Sequence, residues 1–201
     1  MLVIGSGRAN DMINQIELGD HVAFFYRTKA EQLETVIPFI AIGLERNEKC
    51  MYIAEDNTPS EIRRLLQEYG VDVLEAQKNG TLSVVTKHET YLRHGAFQPH
   101  KMIGELCDAV QSALDAGYTG LRAAGELSWA LDLPSALVQM VNYEEELEDH
   151  FHSKFAALCQ YDQSRFPAYL IERMKSVHPI NFCDGEITRK PSRRAVNSSA
   201  N

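Results

Sequence analysis

The sequence predicts an α/β domain of three layers, a mainly parallel sheet with helices packed on both faces. Short apolar runs alternate with stretches of helical periodicity from His21 to Val177, and strands that alternate with helices of that length pair in parallel. The runs are close to continuous in apolar residues, as in strands buried on both faces. At 201 residues and 44% hydrophobic content, the chain can fill one ample domain without a metal or disulfide staple.

Residues 1–17 carry Gly, Ser, Asn and Asp with weak periodicity and are expected to be a mobile start closing in a short helix. The domain proper is expected over residues 18–187. His21–Tyr26 reads as the first strand. Thr28-x-x-Glu31 then opens a helix as a capping box, in which each side chain satisfies a free backbone N–H of the first turn. Leu33, Val36, Ile37, Ile40 and Leu44 follow helical spacing, Pro38 should kink this helix, and Gly43 and Asn47 mark its far end. Lys49–Ala54 is the second strand. Thr58-Pro59-Ser60-Glu61 combines a cap, a proline at the first helical position and an acid at the third. Ile62, Leu65, Leu66 and Tyr69 form the inner stripe of that helix and Gly70 stops it. A third strand covers 81–86, followed by an irregular polar and aromatic connection over 87–100. The next helix turns Ile103, Leu106, Val110 and Leu114 inward and ends at Gly117. A fourth strand (120–126), an acidic helix (134–152), a fifth strand (155–161), a helix (164–177) and one strand-like piece (180–187) complete the domain. The tail 188–201 is basic and rich in Ser and Asn. It is expected to be disordered, with Arg189, Lys190, Arg193 and Arg194 solvated.

A strand-helix-strand-helix opening over 19–72 is the frame of a RecA-type nucleotide-binding domain. Its phosphate loop would take the form G-x-x-x-x-G-K-[ST], so that glycine amides can close around phosphate. Here the segment is Tyr26-Arg27-Thr28-Lys29-Ala30-Glu31, and no glycine lies between Gly19 and Gly43. The expected fold is therefore a RecA-like three-layer sandwich without a functional phosphate loop. Such a frame points to a sensor or scaffold before an enzyme. A nucleotide binder with Lys29 or Arg27 standing in for the missing lysine is the alternative, and few backbone amides could converge on phosphate in it.

A net charge of −8 argues against a broad nucleic-acid surface. Cys50, Cys107, Cys159 and Cys183 form no C-x-x-C pair and are expected to be buried free thiols. No stretch resembles a secretory leader, and no apolar run approaches the ~20 residues that span a bilayer, so the expected compartment is the cytoplasm. No motif calls for a cofactor.

In an open α/β sheet ligands bind beyond the carboxyl ends of the strands, which directs attention to Tyr26, Arg27, Glu55, Asp56, Glu126, Tyr161 and Asp162. Asp162, just ahead of Ser164, reads as a helix cap. Strand alternation puts Arg122, Ala124 and Glu126 on one face, with small residues between the charges and Trp129, the only tryptophan, just beyond. The expectation is one cleft lined by Tyr26, Arg122, Glu126, Trp129 and Tyr161, with Arg122 paired to Glu126 or to an anionic ligand. A structural ion pair beside a core tryptophan weighs about equally. His88, His94 and His100 recur in the irregular connection, and His150 and His152 point apart on a helix. No metal site is expected from them.

On GDHVAFFYR with PFIAIGLERNEKCMYIAED, on LRAAGELSWAL, and on FAALCQYDQSRF followed by His178-Pro179, the chain resembles the MEDS sensory domains, from about Gly19 to about Ile187. That family is itself similar to KaiC-type RecA ATPases that have lost their motifs. In that comparison Glu55-Asp56 falls where those ATPases keep paired catalytic acids, and Gly125-Glu126 where they keep the Walker B acid. The resemblance implies a non-enzymatic regulatory input domain that binds a small, hydrocarbon-like molecule. Its output would go to a histidine kinase, response regulator or transcription regulator as a separate protein, or to a second copy of the chain in a homodimer.

Overall fold

The structure, a computed structural model, describes residues 11–150 and 153–190. Its centre is a seven-stranded sheet in the order β3-β2-β4-β5-β1-β6-β7. The strands are β1 (His21–Tyr26), β2 (Lys49–Ala54), β3 (Leu82–Thr86), β4 (Leu121–Glu126), β5 (Phe155–Asp162), β6 (Ile180–Cys183) and β7 (Glu186–Arg189). All neighbours are parallel except β6 and β7. The helices are α1 (Lys29–Glu45), α2 (Pro59–Tyr69), α3 (Val73–Lys78), α4 (Pro99–Asp115), α5 (Pro134–His150) and α6 (Ala168–Val177).

The chain steps from β1 out through β2 to the edge at β3, then returns through β4 and β5 and passes β1 to reach β6. Parallel crossovers are right-handed, so a reversal of direction sends the helices to the opposite face. Accordingly α1, α2 and α3 build one core with Phe24, Tyr26, Tyr52 and Ala124. The other core holds α4, α5 and α6 with Phe25, Tyr161, Trp129 and Ala123. Strand β1 is buried along its whole length, as its unbroken apolar run requires.

Two of the helix starts are those the sequence specifies. Thr28 accepts from the N–H of Glu31 at 3.2 Å and Thr58 from that of Glu61 at 3.2 Å. Gly70 closes α2 in a left-handed conformation. Helix α1 continues through Pro38.

Several expectations are corrected. The strand-like piece at 180–187 is a hairpin, turned at Asp184-Gly185 with φ of 53° and 74°, the pair of positive φ values a tight two-residue turn needs. Helix α3 fills a stretch left unassigned, and helix α6 begins at Ala168 rather than 164. Ile13 and Ile16, placed in the mobile start, are fully buried. Arg189 and Lys190 of the expected disordered tail are docked: Arg189 pairs with Asp20 at 2.9 Å, and Lys190 donates to the Lys175 carbonyl at 2.7 Å. Cys107 is exposed and Cys183 half-buried, while Cys50 and Cys159 are buried; all four thiols are free. Residues 1–10, His152, Arg193 and Arg194 lie outside the described residues.

Candidate functional site

The carboxyl ends of the central strands carry a closed polar network. Glu126, the last residue of β4, turns its carboxylate into the loop after β2. There the backbone N–H groups of Glu55 (3.0 Å), Asp56 and Asn57 (3.1 Å) all donate to Oε2. Oε1 accepts from the Tyr52 hydroxyl at 2.6 Å and from Asn57 Nδ2 at 2.9 Å. Consecutive N–H groups of this kind make an anion-binding concavity, and here the protein's own carboxylate fills it. Burial pushes the Glu126 carboxyl above its ordinary value, and the donors recover only part of that. Gln32 extends the network, accepting from Asn57 Nδ2 at 2.9 Å and donating to Gln160 Oε1 at 2.8 Å.

The residues expected to share one cleft are divided between the two faces of the sheet. Tyr26 belongs to the core under α1, and Trp129 and Tyr161 to the core on the other face. Arg122 and Glu126 share a face, but four residues of strand separate their Cα atoms by about 13 Å. Arg122 instead forms a fully buried pair with Glu48, with Nη2 at 3.2 Å from Oε1, and lies 4.6 Å over the Phe39 ring. Trp129 is 1% exposed, stacked on Tyr91 at 5.1 Å and edge-on to Phe97 at 4.8 Å. The rim charges are spread among separate partners. Arg27 pairs with Asp184, Glu55 with Lys87, and Asp56 with Arg165 at 2.8 Å and with the Ser128 hydroxyl. Asp162 caps the turn at Ser164, whose N–H it holds at 2.8 Å. Lys29, the stand-in for a phosphate-loop lysine, pairs with Glu61 at 2.8 Å.

A second cluster lies inside the opposite layer. His21 from β1, Glu144 from α5, Cys159 from β5 and His178 from the α6–β6 junction are all buried, and one donor atom from each lies within 4.8 Å of the others. Glu144 Oε2 is 3.2 Å from His21 Nε2, 3.4 Å from His178 Nε2 and 3.6 Å from the Cys159 sulfur. The sulfur is 3.5 Å from His21 Nε2. Outside this ring, His21 Nδ1 faces Glu148 Oε2 at 3.1 Å, His178 Nδ1 faces the Met174 carbonyl at 2.9 Å, and the Tyr161 hydroxyl donates to Glu144 Oε1 at 3.1 Å. Burial works against the charge on Glu144, yet the two imidazoles outweigh it and hold the carboxyl below the carboxylate range. His21 is raised because its two carboxylates overcome burial, whereas burial lowers His178. Burial also pushes the Cys159 thiol well up.

Between sheet, α4 and α5 there is a cavity of about 20 Å³, lined by apolar groups such as Ile53, Met102, Leu106 and Ala123, with Tyr91 over it and Cys159 at one side. The Tyr91 hydroxyl lies 2.3 Å from where a Cβ on Gly125 would stand, so only glycine lets this ring close over β4.

A family model, MEDS, described as the MEthanogen/methylotroph, DcmR Sensory domain, matches residues 20–179. The chain belongs to the MEDS family. The transcriptional repressor DcmR of Methylorubrum extorquens is 27% identical over 172 residues, covering 82% of this chain and 62% of the repressor. The chain thus spans less than two thirds of that relative's length. Among solved structures, an uncharacterised Pyrococcus horikoshii protein crystallised with an unknown peptide is similar at a TM-score of 0.64 and 12% identity, over 90% of this chain and 85% of that one. A KaiC-like protein from Pyrococcus horikoshii OT3 is similar at a TM-score of 0.57 and 14% identity, over 81% of this chain and 69% of that one. These likenesses establish the fold of this MEDS domain as that of KaiC-like, RecA-type proteins, and family membership gives it a regulatory, sensory role.

Sequence reasoning missed the MEDS domain's inner cluster because it looked for histidines close together in the chain. The residues that converge are His21 and His178, while His94 and His100 serve separate pairs with Glu105 and Glu146. One signal was available. Glu144 and Glu148 fall on the same face of α5 as Met140, Tyr143 and Leu147, and acids on a buried face require partners.

Proposed function

We propose that this MEDS domain is a non-enzymatic sensor that takes up a very small apolar molecule and passes the change to a regulatory protein. The observation that carries this reading is the apolar cavity of about 20 Å³ beneath Tyr91. One water needs roughly 10–15 Å³ of such space, so the cavity has room for a molecule built on a single carbon. Tyr91 stacks directly on Trp129, which gives occupancy a route to the segment leading into α5. The recipient is a histidine kinase, response regulator or transcription regulator, or a second copy of the chain. No helix among the described residues is long and apolar enough to cross a membrane, which fits action in the cytoplasm.

The filled amide concavity supports the non-enzymatic part. Glu126 occupies the three N–H groups after β2, and the N–H of Arg27 is taken by Glu31 at 2.9 Å. The segment after β1, where a phosphate loop would lie, has no glycine and its first N–H is already held by Glu31, so ATP turnover is expected to be absent. ATP turnover abolished by Glu126→Gln would refute that.

The sensing test compares wild type with Ala123→Leu, which fills the cavity. A saturating halomethane is expected to raise the wild-type thermal midpoint and change Trp129 emission, with neither effect in the filled variant. Identical responses from both folded proteins would remove the cavity as the input site. The reading then becomes that of an interaction scaffold, which the sealed position of Trp129 favours.

A further inference from the structure

We propose that His21, Glu144, Cys159 and His178 form a tetrahedral site for one divalent transition-metal ion, with Zn2+ the best match to their chemistry. The site adjoins the apolar cavity through Cys159 but does not depend on the sensing reading.

The first argument is geometric. Zinc–ligand bonds of about 2.0–2.3 Å in a tetrahedron set neighbouring ligand atoms roughly 3.3–3.7 Å apart. Four of the six edges of this cluster measure 3.2, 3.4, 3.5 and 3.6 Å, and the other two do not exceed 4.8 Å.

The second argument counts protons. Metal-bound histidines donate their other ring N–H to a carboxylate or backbone carbonyl, which fixes the tautomer and aims the remaining lone pair at the metal. Both forms of that support are present: Glu148 at His21 Nδ1 and the Met174 carbonyl at His178 Nδ1. A bound metal ion would select these tautomers, so that two imidazole lone pairs, a carboxylate oxygen and a sulfur face one point. His178 Nε2 makes no well-aligned hydrogen bond and lies 3.4 Å from Glu144 Oε2 in a fully buried position, an arrangement that a cation between them would complete.

The ligand set decides the metal class. A thiolate with two imidazoles and one carboxylate suits Zn2+ and tetrahedral Co2+, not Mg2+ or Ca2+, which take oxygen ligands. Binding converts the Cys159 thiol to a thiolate and releases its proton to solvent. Four protein ligands leave no open position for a reacting water, so the ion would tie β1, β5, α5 and the α6–β6 junction together. Cys159 also lines the apolar cavity, so an occupant there would lie against the metal-bound sulfur.

The full chain, purified under reducing conditions and freed of metal with a chelator, is titrated with Co2+. The expected result is one Co2+ per chain, with the strong visible bands of tetrahedral cobalt and a near-ultraviolet thiolate-to-cobalt band, both displaced by Zn2+. Cys159→Ser should lose the thiolate band, and Glu148→Gln should weaken binding about 10–100-fold while keeping it. Weak octahedral cobalt absorption from folded wild type would overturn the proposal and leave the cluster as a metal-free ion network. A thiolate band that survives in Cys159→Ser would overturn it too, by placing the metal on another cysteine. The wild-type spectrum decides the coordination even where a variant fails to fold.

Discussion

Two buried carboxylates a layer apart have opposite surroundings. Glu126 is met by five hydrogen bonds, all from donors: three backbone N–H groups, a tyrosine hydroxyl and an amide. Glu144 accepts from the Tyr161 hydroxyl and the Cys159 thiol and otherwise faces two imidazole nitrogens. A carboxylate surrounded by fixed donors is a finished structural part. A carboxylate shared between two imidazoles and a thiol can exchange their protons for a cation. Burial alone therefore does not distinguish structure from function; the hydrogen-bond roles of the neighbours do.

The largest effect should come from a third buried carboxylate, Glu48, which has a full cation as its partner. Arg122→Ala strands Glu48 in the core and is expected to cost about 3–5 kcal/mol in urea unfolding. A loss under about 1 kcal/mol would show that Glu48 escapes to solvent. Glu126→Gln keeps the shape but turns one acceptor into a donor facing donors, for an expected loss of about 2–3 kcal/mol. If Glu126→Gln unfolds at the wild-type urea midpoint, the amide concavity contributes nothing.

Zinc separates the two carboxylates directly. Zn2+ at a hundredfold excess over its dissociation constant should add about 2.7 kcal/mol of stability. That increment should persist in Glu126→Gln and vanish in Cys159→Ser. The smallest effect concerns Glu89, an exposed carboxylate that, like Glu126, accepts only from donors, the Thr86 N–H and hydroxyl at 2.8 Å each. Those donors hold its carboxyl below the ordinary value. Its contribution is thus present above the unfolded carboxylate value and lost as pH falls through the lower folded one. Solvent weakens such contacts, so Glu89→Gln should remove only a few tenths of a kcal/mol of the acid dependence. A clearly larger change would mean that the 87–98 connection is anchored at this residue.

The layered fold was legible because its signals are local. The unbroken apolar run of His21–Tyr26, the caps at Thr28 and Thr58 and the stop at Gly70 each act within a few residues. The hairpin at Asp184-Gly185 was equally legible, since Asp-Gly is a strong turn signal, and reading 180–187 as one piece passed over it. The expected cleft failed for a countable reason: Arg122 and Glu126 are on one face but too far apart along the strand. Tyr26 and Trp129 failed for another. Chain direction reverses at β3, and that places their surroundings on opposite faces of the sheet.

By itself the sequence determined the alternation of strands and helices, the parallel sheet and the absence of a glycine phosphate loop. All of these depend on spacing over fewer than about forty residues or on residue type alone. Only the tertiary structure decided that Glu126 would fill the amide concavity after β2, that Arg122 would choose Glu48, and that His21, Glu144, Cys159 and His178 would meet. Those residues are separated by up to 157 positions, and strand order, not periodicity, brings them together. A parallel sheet places distant strands side by side in an order that no local pattern encodes, and both buried carboxylates acquire their opposite surroundings there.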